Sequence, residues 1–571
     1  MPTGPARLKP TQENLSRYSD FLRPRDIHIF ALIFTAIFLL HLPLLRLPYF
    51  WDEAGYYIPA AYDLFLHGSL IPKSVPSNAH PPAPAVYLAL WWKLSAFKPA
   101  VTRTAMLLLA AFALTAIFKL SQMLTNIRVA LAVTTCTAIY PVWFAQSSLA
   151  HADLPAAAFT LWALYFYFRS LEGEPTARLE FGQPDVKQRG RAHRYLVLAA
   201  VFFCLSALSK ETSIIIPICL AVYDLVEGSR RGAAHRVRAF TRPLILLAST
   251  LPLAIWFLYH RLHTGFFFGN PEFFAYNVTA TLTPLRVLLS MGLRTWQVLG
   301  YMNMWTLTLA TVWALRYRAL KEDDGRERPR ITLAVQYRLA GILLAHVLAF
   351  SLVGGAALAR YLLPAYPLAL LIGVSTLRRR VPEWGWAVGL LLAGFALALF
   401  SNPFGYSAPE DNLSYRDYVI LHKQAADRLQ QRDSHARVLT AWTATDELTK
   451  PFLGYVKQPM TVVRVDDFSY AQLQTARMAT DQFDVALLFS TKPTPRTSLL
   501  DRWHWWEQVS RKYFGFHRDI SPESAAEMLG SRVIWESRRG RQWIAIIAFE
   551  GVENAGAVNS RAEAGIASTM P

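Results

Sequence analysis

The feature that most limits what this chain can become is a succession of about eleven apolar runs in its first 400 residues. They cover 27–45, 101–120, 129–144, 154–168, 195–208, 214–225, 243–259, 295–315, 339–352, 362–377 and 386–400. A bilayer crossing takes about 20 apolar residues, and shorter runs can cross when a bundle buries them. A chain with 53% hydrophobic residues and a mean hydropathy of +0.22 is too apolar for a soluble protein, yet it carries 58 Lys and Arg. Together these imply a polytopic α-helical membrane protein with about eleven transmembrane helices.

The cations sort by loop. Arg178, Lys187, Arg189, Arg191 and Arg194 form one cluster, and Arg230, Arg231, Arg236 and Arg238 a second. Arg316, Arg318, Lys321, Arg326, Arg328 and Arg330 form a third, and Arg378, Arg379 and Arg380 the last. The loops between them lack such clusters, so the positive-inside rule places residues 1–25 in the cytoplasm and "WDEAGYY" (51–57) outside. The formal charge of +18 therefore belongs to topology, and no nucleic-acid partner is expected, since that would need cations gathered on one soluble face. Cys136, Cys204 and Cys219 all lie within apolar runs, which offers neither a disulfide framework nor a zinc-finger spacing. The first run follows Arg17, Arg23 and Arg25 without a small-residue cleavage site and reads as a retained span.

An odd number of crossings puts residues 401–553 outside as well. Their short runs "RVLTAW", "MTVVRV", "DVALLF" and "WIAIIAF" alternate with helix-like stretches such as "YRDYVILHKQAADRLQQ", the pattern of an α/β domain. Residues 554–571 are small and polar and read as a disordered tail. The expected organisation is a cytoplasmic segment (1–25), a membrane domain (26–400), an extracytoplasmic α/β domain (401–553) and the tail.

The unusual polar residues fall on the outer side. Asp52 and Glu53 sit among Trp51, Tyr56 and Tyr57, and His80 precedes Pro81 and Pro82. "SSLAHADLP" supplies His151 and Asp153, "LSKETS" supplies Lys210 and Glu211, "HRLHTGFFFGNPEFFAYN" supplies His263 and Glu272, and "ALARYLLPAYP" supplies Arg360 and Tyr361. Several flanking runs are shorter than a crossing, so these junctions are expected to dip below the surface, where polar groups need partners or water and mark function. Each also has a plainer role. Carboxylates such as Asp52, Glu53 and Asp153 suit helix N-termini, Lys210 and Glu211 suit a structural ion pair, and Arg360 with Tyr361 suits an interfacial anchor. Their joint convergence on one face is what points to chemistry.

In order and in side, "WDEAGYYIPA", "HPPAPAVYLALW", "AHADLPAAAF", "LSALSKETSIIIP" and "ARYLLPAYP" resemble the integral-membrane C-superfamily glycosyltransferases. The closest likeness is to the branch containing the protein O-mannosyltransferases and the lipid A aminoarabinose transferases, over roughly the first 400 residues. The resemblance implies a sugar carried on a polyprenyl phosphate and a lipid, glycan or protein acceptor, met at the outer face of the cytoplasmic membrane. It implies that Asp52 is the catalytic base, with Glu53 and Asp153 as the further acids and Arg360 on the donor phosphate. Lys210 and His80 are candidates to share that phosphate, and Tyr56, Tyr57, His151, Glu211, His263 and Tyr361 to line the substrates. One departure stands out: Ala79 and His80 occupy positions where aminoarabinose transferases usually have an acidic residue and a lysine. This leaves open whether a divalent metal ion takes part; no other cofactor is expected.

The chemistry of the residues agrees. A polyprenyl phosphate leaves readily once its charge is neutralised, which a cation supplies. An acceptor hydroxyl is a poor nucleophile and needs a carboxylate to take its proton. One base and one cationic clamp suffice for direct displacement with inversion at the anomeric carbon. Two other classes stay open on sequence alone: a secondary transporter, which would place its ionisable groups near the midplane, and a non-catalytic envelope glycan assembly protein.

Overall fold

The computed structural model describes residues 24–549 except 173–185, 231–235, 324, 404–407, 433, 492–499, 501–502 and 517–518. The tail at 554–571, nearly all of the N-terminal segment and much of the first two basic clusters lie outside the described residues.

All eleven apolar runs fall on helices. Among the described residues, however, only six helices are both long and apolar enough to cross a membrane unaided: Asp26–Leu44, Pro99–Leu124, Gly190–Ser209, Glu211–Arg230, Phe240–Thr264 and Leu333–Leu352. The sequence count of eleven differs for local reasons. Run 129–144 is split at Tyr140, where Pro141 opens a new helix, as its missing N–H permits. Run 295–315 is split where Met302 and Asn303 take positive φ between helices Pro284–Leu299 and Met304–Ala314. Helix Asp153–Leu171 carries Asp153 and Arg169 and is almost wholly buried inside the bundle, beside the largely buried helix Pro99–Leu124. The peripheral helices instead expose large apolar side chains: Leu32, Trp386, Leu390 and Phe400 are each more than 70% exposed. A soluble protein rarely shows so much apolar surface, whereas a bilayer covers it. The chain is a multi-pass membrane protein.

The bundle has two chemically different ends. At one, the loop 316–330 folds onto the end of helix Ala365–Arg380: the Leu320 N–H donates to the Arg379 carbonyl at 2.8 Å, and Arg378 pairs with Glu322 at 2.6 Å. The third and fourth basic clusters of the sequence therefore share one end. The opposite end collects residues 48–57, 147–153 and 353–362.

The C-terminal part is the small α/β domain that the sequence predicts. Among the described residues its five strands are β1 (Arg437–Ala441), β2 (Thr461–Val465), β3 (Val485–Phe489), β4 (Arg532–Arg539) and β5 (Gln542–Ala548), in the order β2-β1-β3-β5-β4. β2, β1 and β3 are parallel, whereas β5 runs antiparallel to β3 and forms a hairpin with β4. β3 is buried at every residue, which accounts for its unbroken apolar run. Helix Ser414–Arg432 buries Tyr415, Tyr418, Val419, His422, Ala426 and Leu429, one stripe at helical spacing. β4 carries only the short run Val533–Trp535, and its Arg532, Arg538 and Arg539 face solvent.

The domain is fastened to the bundle through the first loop. The Tyr455 hydroxyl donates to the Tyr49 carbonyl at 2.9 Å, and Trp51 meets Tyr418 and Trp442 edge-on at 5.5 and 5.4 Å. Gly55 is required here, since a Cβ would lie 2.5 Å from the Trp442 indole.

A buried ionic cluster at the first-loop end of the bundle

Asp52 stands at the head of a short helical stretch. Trp51 adopts a φ of 40°, which turns the chain after the first helix, and Glu53–Tyr57 then form a single wide helical turn. Adjacent in sequence, Asp52 and Glu53 consequently point into different surroundings.

Glu53 is fully buried. One carboxylate oxygen accepts the Phe50 N–H at 2.8 Å; the other accepts the Ala150 N–H at 2.5 Å and pairs with Arg103. Arg103, also buried, donates to the carbonyls of Ser148 (2.9 Å) and Pro48 (3.0 Å). This pair ties the first loop, helix Pro99–Leu124 and the loop before Asp153 into one frame. Sequence reading missed Arg103, which sits inside an apolar run where a cation signals a buried carboxylate partner.

Asp52 pairs with Arg360, and Arg360 is the hub of the site. It arrives on the short turn Ala359–Leu362, bonds Glu410 through Nη1 and lies 3.3 Å from Asp153 through Nε. The other carboxylate oxygen of Asp153 pairs with Lys210, whose ammonium rests 4.1 Å from the centre of the Tyr361 ring. Three carboxylates and two cations from segments up to 358 positions apart in sequence thus meet; for Arg360 and Asp52 the separation is 308 residues. Only Asp52 shows appreciable surface, with 29% of its side chain exposed against 3% for Arg360, 2% for Asp153 and 5% for Glu410. Burial alone would lower the Arg360 pKa, but Glu410, Asp52 and Asp153 outweigh it and hold the guanidinium charged. Burial pushes the Glu410 carboxyl up, against the pull of Arg360. His151 is driven well below its usual value by burial and then by the nearby cations, and its ring lies 3.2 Å from Arg360 while bonding Gln146 at 2.7 Å.

The remaining sequence candidates divide. His80 pairs with Glu211 at 3.2 Å and packs between Tyr56 and Tyr57, with ring centres 5.2 and 5.7 Å away; Tyr57 also lies 5.8 Å from His151. Tyr361 stacks on Phe350 beneath Lys210. These residues form one wall beside the ionic cluster. His263 does not join it: the ring is exposed and bonds the Tyr259 carbonyl of its own helix at 2.9 Å. One turn earlier on that helix, buried His260 reaches Ser77 at 2.8 Å, so the helix presents His260 and not His263 to the first loop. Glu410 was also missed, although with Asp411 it forms an adjacent acidic pair like Asp52 and Glu53; it follows the last apolar run in a stretch that reads as part of the polar C-terminal domain.

A cavity of about 20 Å³ lies among Asp153, Lys210, Thr212, His346, Arg360 and Tyr361, room for about one water molecule and not for a sugar. Among the described residues no group of three His, Cys, Asp or Glu side chains is arranged to hold a metal ion. Asp52, Asp153 and Glu410 do converge, but the Arg360 guanidinium occupies the space between them. As arranged, these carboxylates do not fit a divalent ion.

Residues 79–256 match the dolichyl-phosphate-mannose-protein mannosyltransferase family, a stretch that includes His80, His151, Asp153, Lys210 and Glu211. No curated protein matches the sequence. The crystal structure of ArnT from Cupriavidus metallidurans bound to undecaprenyl phosphate superposes with a TM-score of 0.51, at 14% identity, over 91% of this chain and 97% of that chain. The chain shares the fold of ArnT. The same ArnT in the apo state gives a TM-score of 0.50, again at 14% identity and over 91% and 97% of the two chains. The likeness extends past the 400 residues that carry it in sequence and takes in the C-terminal α/β domain.

Proposed function

We propose that this protein is a glycosyltransferase that moves a sugar from a polyprenyl-phosphate donor to an acceptor at the extracytoplasmic face of the cytoplasmic membrane. The observation that carries the reading is Arg360, a buried guanidinium bonded at once to the partly exposed Asp52 and to the buried acids behind it. A proton acceptor and a phosphate clamp are thereby joined in one contact. The undecaprenyl phosphate bound by ArnT supports a donor of that class, and the basic clusters at the opposite end support the orientation.

In this reading the donor phosphate competes for Arg360 and Lys210, which releases Asp52. The acceptor oxygen then attacks the anomeric carbon from the face opposite the phosphate while Asp52 takes its proton. The bond from the anomeric carbon to the phosphate oxygen breaks, and the electron pair leaves with the phosphate, held by the two cations. One displacement inverts the anomeric configuration. Tyr56, Tyr57 and His80 offer rings for the sugar. Glu53, with no exposed surface and both oxygens engaged, is assigned to the frame that positions Asp52 and not to the chemistry.

The test is sugar transfer by the purified full chain from a polyprenyl-phosphate donor at saturation. Asp52→Asn keeps size and one bond to Arg360 and should lower turnover by about 10² to 10⁴ while leaving the melting temperature unchanged. Near-normal turnover by that variant would remove Asp52 from the mechanism and shift the search to Asp153.

A further inference from the structure

Helix His504–Phe514 of the C-terminal domain turns an unusual face to its surroundings. His504, Trp505, Gln508, Arg511 and Lys512, at helical spacing, are all exposed. Trp503, just before the helix, stacks on Trp505 with ring centres 6.0 Å apart, and the two are 54% and 53% exposed. An exposed pair of stacked indoles beside two basic residues is a poor surface for water. It is the composition of a segment that lies at a bilayer interface, where Trp rings sit at headgroup level and cations reach anionic lipid.

The position of the helix fits that surface. Arg286, in the first turn of helix Pro284–Leu299, donates through Nε to the Tyr513 carbonyl at 2.9 Å, and its guanidinium lies 5.5 Å from the Phe514 ring. On the same turn of the bundle helix, Leu285 and Leu288 are 46% and 64% exposed. The segment thus rests where the apolar, lipid-facing flank of the bundle ends. Exposed aromatic residues recur on the connection between helices Leu251–Thr264 and Pro284–Leu299. The loop that follows the first of these helices exposes Phe266, Phe267 and Phe268, and Arg261 lies 5.5 Å from the Phe267 ring.

We propose that residues 503–512 form an interfacial anchor that binds anionic phospholipid headgroups of the bilayer holding the bundle. Trp503 and Trp505 enter the headgroup region, and Arg511 and Lys512 pair with lipid phosphates. The anchor gives the C-terminal domain an attachment to lipid beside its protein attachments to the first loop and to helix Pro284–Leu299. The proposal goes beyond the transferase reading and does not depend on it.

The experiment uses the full chain with Cys136, Cys204 and Cys219 replaced by alanine, in nanodiscs of phosphatidylglycerol and phosphatidylcholine. A nitroxide is placed at Trp505→Cys or Gln508→Cys and, as reference, at Met478→Cys, which is 83% exposed on the same domain. Collisions with oxygen and with a water-soluble nickel chelate are then compared. The label at 505 should favour oxygen and be shielded from the chelate, 508 should be intermediate, and 478 should favour the chelate. In phosphatidylglycerol discs, combining Arg511→Glu with Lys512→Glu should abolish the shielding at 505. Chelate access at 505 equal to that at 478 would overturn the anchor. Shielding from both reagents would overturn it too, by showing that protein and not lipid covers the face. Shielding that survives the double charge reversal would overturn the role of anionic headgroups.

Discussion

Two clusters of buried charge lie at opposite ends of helix Asp153–Leu171, about 20 Å apart by the helical rise, and they are built on different terms. At the basic end, Asp224 accepts from the Tyr167 hydroxyl (2.7 Å), Arg338 (3.3 Å) and Arg242 (3.3 Å), while Arg338 also reaches Glu227 and Arg242 reaches Ser170. No buried side-chain atom of these residues lacks a hydrogen-bond partner. At the first-loop end, Glu410 Oε1 is buried without a hydrogen bond, and Asp153 Oδ2 and Arg360 Nε face each other as an ion pair at 3.3 Å without forming one. Buried polar groups are expected to be satisfied, so the difference is informative. The closed network fixes helices to one another. The open one retains bonding capacity and an exposed acid, which is what a site needs to take up a charged substrate.

The contrast can be broken at several levels. The largest effect concerns which end faces the cytoplasm. A cysteine at Glu327, exposed in the basic loop, should be protected from a membrane-impermeant thiol reagent in intact cells, whereas one at Met478 should react fully. Equal labelling would undo the assignment of the two ends.

Next in size is stability. Asp224→Ala removes the carboxylate shared by Arg242 and Arg338 and should cost about 3–5 kcal/mol, read by denaturation of the full chain in detergent, with little change in turnover per folded molecule. Asp52→Ala should do the reverse, because Asp52 is partly exposed and Arg360 keeps Glu410 and Asp153. Equal loss of stability in the two variants would show that both clusters are structural.

A smaller effect is expected at Arg360→Lys. An ammonium cannot bridge Asp52, Glu410 and Asp153 together, since the planar fork is lost although the charge remains. Loss of a hydrogen bond to a charged group is worth about 1.5–3 kcal/mol, so donor use should fall by about tenfold or more at unchanged expression. An unaltered Michaelis constant for donor would make Arg360 a structural counter-ion like Arg338.

How far the sequence could be read follows from the same contrast. Helices and strands were legible because apolar periodicity is local: every apolar run became a helix, and the four short apolar runs became β1, β2, β3 and β5. β4 was not, since "RVIWESRR" is an edge strand whose three apolar residues are followed by charged and polar ones. The number of crossings was not legible either, because Tyr140 and residues 300–303 break helices within uninterrupted apolar stretches. At the site, Asp52, Asp153, Lys210 and Arg360 stood out as charges at the ends of apolar runs. Their pairing did not, since it depends on the turn at Trp51 and on Arg103 and Glu410, whose partners lie far away in the chain. His263 was preferred over His260 for want of any signal telling which face of helix Leu251–Thr264 meets the first loop.

An exposed ion pair sets the low end of the scale. In the C-terminal domain Arg437 and Asp484 are joined at 2.8 Å, with side chains 42% and 31% exposed. The Arg437 N–H also donates to the Asp484 carboxylate at 2.8 Å, so the pair helps hold β1 beside β3. These hydrogen bonds from Arg437 hold the Asp484 carboxyl below its usual value, against a smaller effect of burial. A carboxylate with a lowered pKa stabilises the fold fully above its unfolded pKa, near 3.9, and that contribution disappears as pH falls through the folded value. Exposed pairs contribute little because solvent screens them, so Asp484→Asn should reduce the protection of β1 amides against hydrogen exchange slightly at pH 7. The difference from the unsubstituted chain should narrow as pH drops below about 4. A difference that persists undiminished at pH 3, or one as large as that of Asp224→Ala, would mean that exposure does not grade these ion pairs and that the contrast between the buried clusters has another cause.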